Sequence, residues 1–247
     1  MLFLIFILGL IIGSFLNVVI YRLPREESVV YPASHCTNCG HQLSPLELIP
    51  IFSYIFLRGK CKLCGVEISI RYPLVELLTG IIFILNYIYF SKSIILAAGL
   101  IFSSILIVLA LIDFDHQILP DRLTLTGIIV GLVFSFFRSD ITFVYSLAGV
   151  LAAGGLLFLI AFLSKGGMGG GDIKMMAMVG SFTGPLVSVS AIFLGALIAL
   201  LAHLPGIVSG STGMKTKLPF GPFLAVASLL LWIWGEQILN IYLSFVL

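Results

Sequence analysis

Apolar runs of about 20 residues recur along almost the whole chain, each long enough to cross the ~30 Å hydrocarbon core of a bilayer. They fall at about 2–21, 73–91, 94–112, 123–138, 141–163, 186–208 and 221–245, with a shorter run at about 173–185. In lipid a backbone must satisfy its own polar groups, so such runs fold as helices. The chain therefore reads as an all-α polytopic membrane protein of about eight transmembrane helices. Composition agrees, with 60% hydrophobic and 10% charged residues, against about 45–50% and 25% in soluble domains. The formal charge of +2 comes from short inter-helix segments, so it reports topology and gives no reason to expect a nucleic-acid partner. The first run lacks a basic leader and a small-residue cleavage site, and reads as a retained helix.

The sixth span is the weakest of these readings, because Gly180, Gly184 and Pro185 interrupt the run at 173–185; a half-length or tilted segment is the alternative. With the N-terminus outside, every Lys and Arg except Lys92 and Arg138 falls in an inside segment, as the positive-inside rule requires. Removing the sixth span would carry Lys215 and Lys217 outside. Three domains follow: residues 1–21 as the first transmembrane helix, 22–72 as a cytoplasmic loop domain, and 73–247 as the remaining membrane core. No internal repeat is visible, and the glycine cluster at 166–171 is the one low-complexity patch.

All four cysteines lie in the loop, as CTNC (Cys36, Cys39) and CKLC (Cys61, Cys64). Paired CxxC knuckles suit one tetrahedral Zn²⁺, and Gly40 and Gly65 suit the knuckle turns. The separation, residues 40–60, slightly exceeds the usual ~15–20, and the intervening segment can form a helix or hairpin. Two disulfides or free thiols are the alternative, disfavoured in a reducing cytoplasm. Four thiolates leave no open position for a catalytic water, so the zinc is expected to be structural. His35 and His41 flank the first knuckle and read as surface polar groups.

Carboxylates at the ends of spans carry the chemistry. IDFDHQILPDR offers Asp113, Asp115 and Asp121, and GMGGGDIK offers Asp172. Two carboxylates from different helices can share a proton, one serving as base toward water and the other as acid toward a scissile carbonyl. Gly169 and Gly171 let a helix or an extended substrate approach Asp172 without a Cβ in the way. Lys174 and the helix N-terminus favour the ionised form of Asp172, while membrane burial opposes it. Asp121, after Pro120, reads as a helix cap. Gly9 and Gly13 form a GxxxG packing face, with Ser14 and Asn17 as interhelical hydrogen-bonding groups. His203 reads as a satisfied interior histidine, and His116 as an interfacial one. A proton-coupled transporter would also bury carboxylates, and a membrane-anchored zinc-ribbon scaffold would explain the cysteines alone.

The combination resembles the bacterial type IV prepilin peptidases, which are GxGD aspartic proteases and N-methyltransferases. The resemblance rests on GSFLNVVIYRLP at 13–24, the CxxC…CxxC loop, RYPLVELLTG at 71–80, IDFDHQILPDRLTL at 112–125, GMGGGDIK at 168–175 and PFGPFLA at 219–225. It implies Asp113 and Asp172 as the catalytic pair of an intramembrane endopeptidase in the inner membrane, facing the cytoplasm. The implied substrates are type IV prepilin or pseudopilin precursors, and the implied partners are membrane lipid and the pilus or secretion assembly machinery. It also implies methylation of the new N-terminus with S-adenosylmethionine, a half-reaction associated with the zinc loop. Arg58, Gly59, Arg71 and Glu76 are candidates for binding that donor, since no Rossmann-like glycine fingerprint appears. Gly170 departs from the family pattern, where a bulkier residue such as Tyr is common, and a looser loop is expected before substrate binds.

Overall fold

The computed structural model describes residues 1–90, 94–164, 168–208 and 219–246. Lys92, Lys165, Lys215 and Lys217 lie outside the described residues. Eight α-helices are found there: α1 (Leu2–Arg22), α2 (Phe52–Phe56), α3 (Arg71–Tyr89), α4 (Ile94–His116), α5 (Asp121–Ser135), α6 (Phe143–Leu163), α7 (Gly170–Val208) and α8 (Gly221–Val246). Among the described residues two isolated β-bridges are the only extended pairing. The chain forms two compact units, Met1–Ser91 and Lys92–Leu247.

In the first unit, α1 and α3 pack with their backbones nearly touching. A Cβ on Gly9 would lie 2.6 Å from Gly80 Cα, and one on Gly13 would lie 2.7 Å from Glu76 Cα. Lipid gives no hydrophobic drive for helix pairing, so this closeness supplies it through dispersion contacts. The GxxxG face behaves as expected. Asn17 donates across the seam to the Tyr72 carbonyl at 3.1 Å. Between these helices, the loop contains a 3₁₀ turn at Pro45–Leu48 and the short α2. The turn is closed by a reciprocal capping box, in which Glu47 accepts from the Ser44 hydroxyl and backbone N–H. The Ser44 hydroxyl and N–H, with His41, hold the Glu47 carboxyl down at about 2.

The second unit is built around α4. Ala98, Phe102, Leu106 and Leu109 have no exposed surface, and their three-to-four-residue spacing makes one continuous buried stripe. Phe102 meets Phe182 of α7 at 4.9 Å and Trp232 of α8 at 5.2 Å. Glycines let α5 and α6 close onto α7. A Cβ on Gly127 would meet the Met178 sulfur at 2.5 Å, and one on Gly154 would lie 3.1 Å from Ala177 Cβ. Gly149 and Gly180 leave no room for a methyl group on either side.

The two segments 173–185 and 186–208 are successive legs of α7, broken at Gly184 (φ 76°, ψ 178°) just before Pro185. Continued straight, the helix would carry His203 roughly 45 Å beyond Asp172 at about 1.5 Å per residue. Instead His203 packs edge-on against Phe223 at 5.4 Å, and a Cβ on Gly195 would lie 3.0 Å from Leu224. Both partners lie within a turn of Gly221, whose N–H reaches Asp113. The chain therefore reverses at Gly184. Arg138 stabilises the break by donating to the Phe182 carbonyl at 2.7 Å, while Asp140 holds its guanidinium.

Five helical stretches among the described residues are long and apolar enough to cross a membrane: Leu2–Arg25, Arg71–Tyr89, Ile94–His116, Phe143–Leu163 and Gly170–Pro205. The protein is a multi-pass membrane protein. Helix length gives fewer full-length crossings than the eight expected. α5 has only 15 residues, the first leg of α7 spans roughly 20 Å, and the apolar stretch Gly221–Gly235 is also short.

Candidate active site and metal centre

Asp113 is the last residue of the buried stripe on α4 and is only 6% exposed. Its Oδ2 accepts the backbone N–H of Gly221 at 2.9 Å. That N–H belongs to the first residue of α8, one of the four amides a helix leaves without an internal partner, so the carboxylate also meets the positive end of the α8 dipole. A Cβ on Gly221 would lie 2.7 Å from the same oxygen. Glycine is thus the residue that fits.

Asp172 sits in the first turn of α7, its N–H donating to the Gly169 carbonyl at 3.2 Å. It is half-buried and within electrostatic range of Asp113. The two carboxylates predicted to act together are brought together. The glycines in front of Asp172 have distinct tasks. A Cβ on Gly171 would lie 2.8 Å from Leu119 Cβ, so Gly171 allows the turn following α4 to press against the start of α7. One on Gly169 would lie 3.3 Å from the Asp172 Oδ2. At Gly170 an added Cβ would meet nothing within 4 Å.

Asp115 and His116 are exposed on the last turn of α4. Asp121 is not a cap: Pro120 occupies the N-cap position. Both Asp121 oxygens accept from the Lys174 ammonium at 2.7 Å. Lys174 is therefore directed to Asp121, joining α5 to α7 beside Asp172. His203 is satisfied through Nδ1 by the Ala199 carbonyl at 2.7 Å. The PFGPFLA motif was visible in the sequence, but the task of Gly221 was not, because it depends on a contact more than a hundred positions away.

The four cysteines of the first unit are free thiols whose sulfurs all lie within 4.8 Å of one another. Four sulfurs at about 2.3 Å from a tetrahedral ion stand about 3.8 Å apart, and Cys36 Sγ and Cys64 Sγ are 3.8 Å apart. The set can hold a metal ion. The knuckles carrying it form a structural repeat that the sequence had not revealed. Cys36 N–H donates to His41 O and Cys61 N–H to Val66 O, both at 2.8 Å. Gly40 N–H donates to Cys36 O and Gly65 N–H to Cys61 O, both at 2.9 Å. Gly40 and Gly65 have φ values of 72° and 71°, and bridges pair His35 with Gln42 and Lys60 with Glu67.

Backbone amides aimed at sulfur favour thiolates. The Val66 N–H, helped by Asn38, draws the Cys64 thiol down to about 6, and the Cys39 N–H lowers Cys36. Cys39 also receives the His41 N–H, yet burial and its three sulfur neighbours push it up to about 11. Such mutual repulsion is what a bound cation removes. His41 is bonded to Glu47 at 3.3 Å and His35 to the Ala33 carbonyl at 3.0 Å, so both serve the loop surface.

Of the four donor-site candidates, Arg58 is exposed and holds a positive φ of 53°. Gly59 has φ 68°, and a Cβ there would lie 2.9 Å from the Tyr54 hydroxyl. Arg71 opens α3. Glu76 is buried, accepting the Ile51 N–H at 2.7 Å and the Ser14 hydroxyl.

Comparisons with known proteins divide along the same lines. The family model described as Bacterial Peptidase A24 N-terminal domain matches residues 7–90, and that described as Type IV leader peptidase family matches residues 100–204. A Bacillus subtilis protein named Prepilin leader peptidase/N-methyltransferase is 38% identical over 250 residues, covering 100% of each chain. Proteins of the same name from Dichelobacter nodosus and Pseudomonas aeruginosa are each 36% identical, covering 93% and 97% of this chain and 90% and 92% of theirs. No solved structure matches.

Proposed function

Because the chain belongs to the type IV leader peptidase family, we propose that Asp113 and Asp172 are the catalytic pair with which it removes the leader of type IV prepilins. It is a protease with N-methyltransferase activity, and the transporter and scaffold readings are not favoured. The observation that carries the assignment is the Gly221 N–H on Asp113 Oδ2, with Asp172 in range. That bond fixes one carboxylate and leaves the other to respond.

The reaction needs one proton between the two carboxyl groups. The ionised member takes a proton from water as it attacks the scissile carbonyl, while the protonated member gives its proton to the carbonyl oxygen. The gem-diol then collapses: the former base, now protonated, gives its proton to the leaving amine as the C–N bond breaks, and the other carboxylate takes the proton of a gem-diol hydroxyl. One water is consumed and the pair returns to its starting charge. Gly171 supports this by letting Leu119 pack against the start of α7, and Gly169 by keeping a side chain away from Asp172 Oδ2.

Lys and Arg placement supports an inner-membrane protein with this pair facing the cytoplasm. There a prepilin or pseudopilin leader would meet it before the assembly machinery takes the product. Zn²⁺ fits the four-cysteine set, held by Cys36, Cys39, Cys61 and Cys64, and would serve as a structural clamp on the loop. S-adenosylmethionine would supply an electrophilic methyl group for the new N-terminal amine. The domain roles follow as a first membrane helix at 1–21, a zinc-binding loop at 22–72 and a peptidase core at 73–247.

Cleavage of a pilin-like precursor in liposomes by wild type, Asp113→Asn, Asp115→Asn and Asp172→Asn tests the assignment. Loss of cleavage in the Asp113 and Asp172 variants alone is expected. Equal cutting by all four proteins would overturn the aspartyl mechanism, and a requirement for Asp115 in place of Asp113 would move the first carboxylate.

A further inference from the structure

Within Met1–Ser91 the loop and the two long helices enclose a cavity of about 420 Å³ whose wall includes Asn17, Tyr21, Tyr54, Leu57, Tyr72 and Glu76. Its volume lies in the ~300–1,000 Å³ range of small-molecule sites, suited to a nucleoside carrying an amino-acid tail. Tyr54 and Tyr72 add aromatic surface to the wall, suited to a base or a cation, while the Tyr21 ring is already covered on one face by the Arg25 guanidinium at 4.0 Å. Glu76 is the unusual group. Its side chain is buried and accepts hydrogen bonds from Ser14 and the Ile51 N–H, yet no Lys, Arg or His pairs with it among the described residues. The guanidinium of Arg22, also in the wall, is committed to the Ser28 and Ala33 carbonyls. A buried carboxylate without a counter-charge is costly unless a cation arrives.

The backbone beside Glu76 is also unusual. Ile51 has φ 62°, a value that a β-branched residue rarely adopts, and in that conformation its N–H points at the Glu76 carboxylate. Such outliers persist where the surroundings over-determine them, often around ligand sites. Cys36 and Cys61 belong to the same wall, so the metal cluster and the cavity are parts of one local structure.

We infer that this cavity is the pocket for the methyl donor and that Glu76 supplies the counter-charge to the sulfonium. The inference rests on the methyltransferase half of the proposed function. It assigns ligand contact to Glu76 alone among the four candidates, since Arg58, Gly59 and Arg71 are absent from the wall. Gly59 acts indirectly, by leaving space for the Tyr54 ring that lines the cavity.

The test is calorimetric binding of S-adenosylmethionine, and separately of its uncharged thioether product S-adenosylhomocysteine, to the metal-loaded full-length protein in detergent. Wild type, Glu76→Gln and Leu57→Trp are compared, and precursor cleavage by each preparation reports that it is folded. Glu76→Gln keeps the hydrogen-bond acceptor and removes the charge. It should weaken the donor at least tenfold and the thioether far less. Leu57→Trp fills the cavity from the loop side and should weaken both. Unchanged donor affinity in both variants would overturn the assignment while leaving methylation intact. Equal weakening of both ligands by Glu76→Gln would overturn the role of its charge. A wild type that binds neither ligand and leaves the cut precursor unmethylated would instead sink the methyltransferase reading itself.

Discussion

At Gly221 the presence of a hydrogen where any other residue has a carbon decides whether Asp113 can take its position. An added Cβ would overlap the carboxylate at 2.7 Å, although alanine near a helix start is otherwise favourable. Gly221→Ala should therefore lower kcat for precursor cleavage about 100-fold, the scale expected for a displacement of about 1 Å at a reacting group, with no loss of melting temperature in detergent. The Asp121–Lys174 pair makes the opposite prediction. Its side chains are 58% and 41% exposed, so Lys174→Met should cost no more than about 1 kcal/mol of stability, read from thermal unfolding. Asp113 and Asp172 stood out as candidates because a carboxylate at the end of an apolar run is expensive without a purpose, and the motif resemblance separated them from Asp115 and Asp121. The destination of Lys174 was not legible, since Asp172 is its sequence neighbour and Asp121 is its neighbour in space.

Among the elements, the loop and α7 show how far periodicity carries. The CxxC pairs announced knuckles, but the likeness of the two halves resides in backbone hydrogen bonds that HCTNCGHQ and KCKLCGVE share despite differing side chains. Because four thiolates repel without a cation, chelation should release the loop. Amide exchange at 34–43 and 59–68 should accelerate, and N-methylation should fall more than precursor cleavage, measured on the same chelated sample. In α7, reading 173–185 and 186–208 as separate spans already implied a reversal between them, and the structure places the break at Gly184. Gly184 holds a positive φ and its missing side chain leaves the space that Tyr145 fills. Gly184→Ala should thus destabilise the protein by roughly 2–4 kcal/mol through backbone strain and overpacking together, read as a lowered melting temperature.

For the whole molecule, the asymmetric placement of Lys and Arg predicts which side the cysteine loop faces. A membrane-impermeant maleimide should leave Cys36, Cys39, Cys61 and Cys64 unlabelled in intact cells and label them after lysis in the presence of chelator. Labelling of intact cells would invert the topology.

Sequence alone determined the membrane class and the four-cysteine set that can hold a metal ion, because each follows from residue type and local spacing; it offered four acids at the ends of spans, and the resemblance to the prepilin peptidases singled out Asp113 and Asp172 among them. Tertiary structure decided the Gly221 contact with Asp113, the return of α7 onto α8 and the cavity around Glu76. Each of these depends on the absence or direction of atoms where distant segments meet, and no local pattern encodes that meeting.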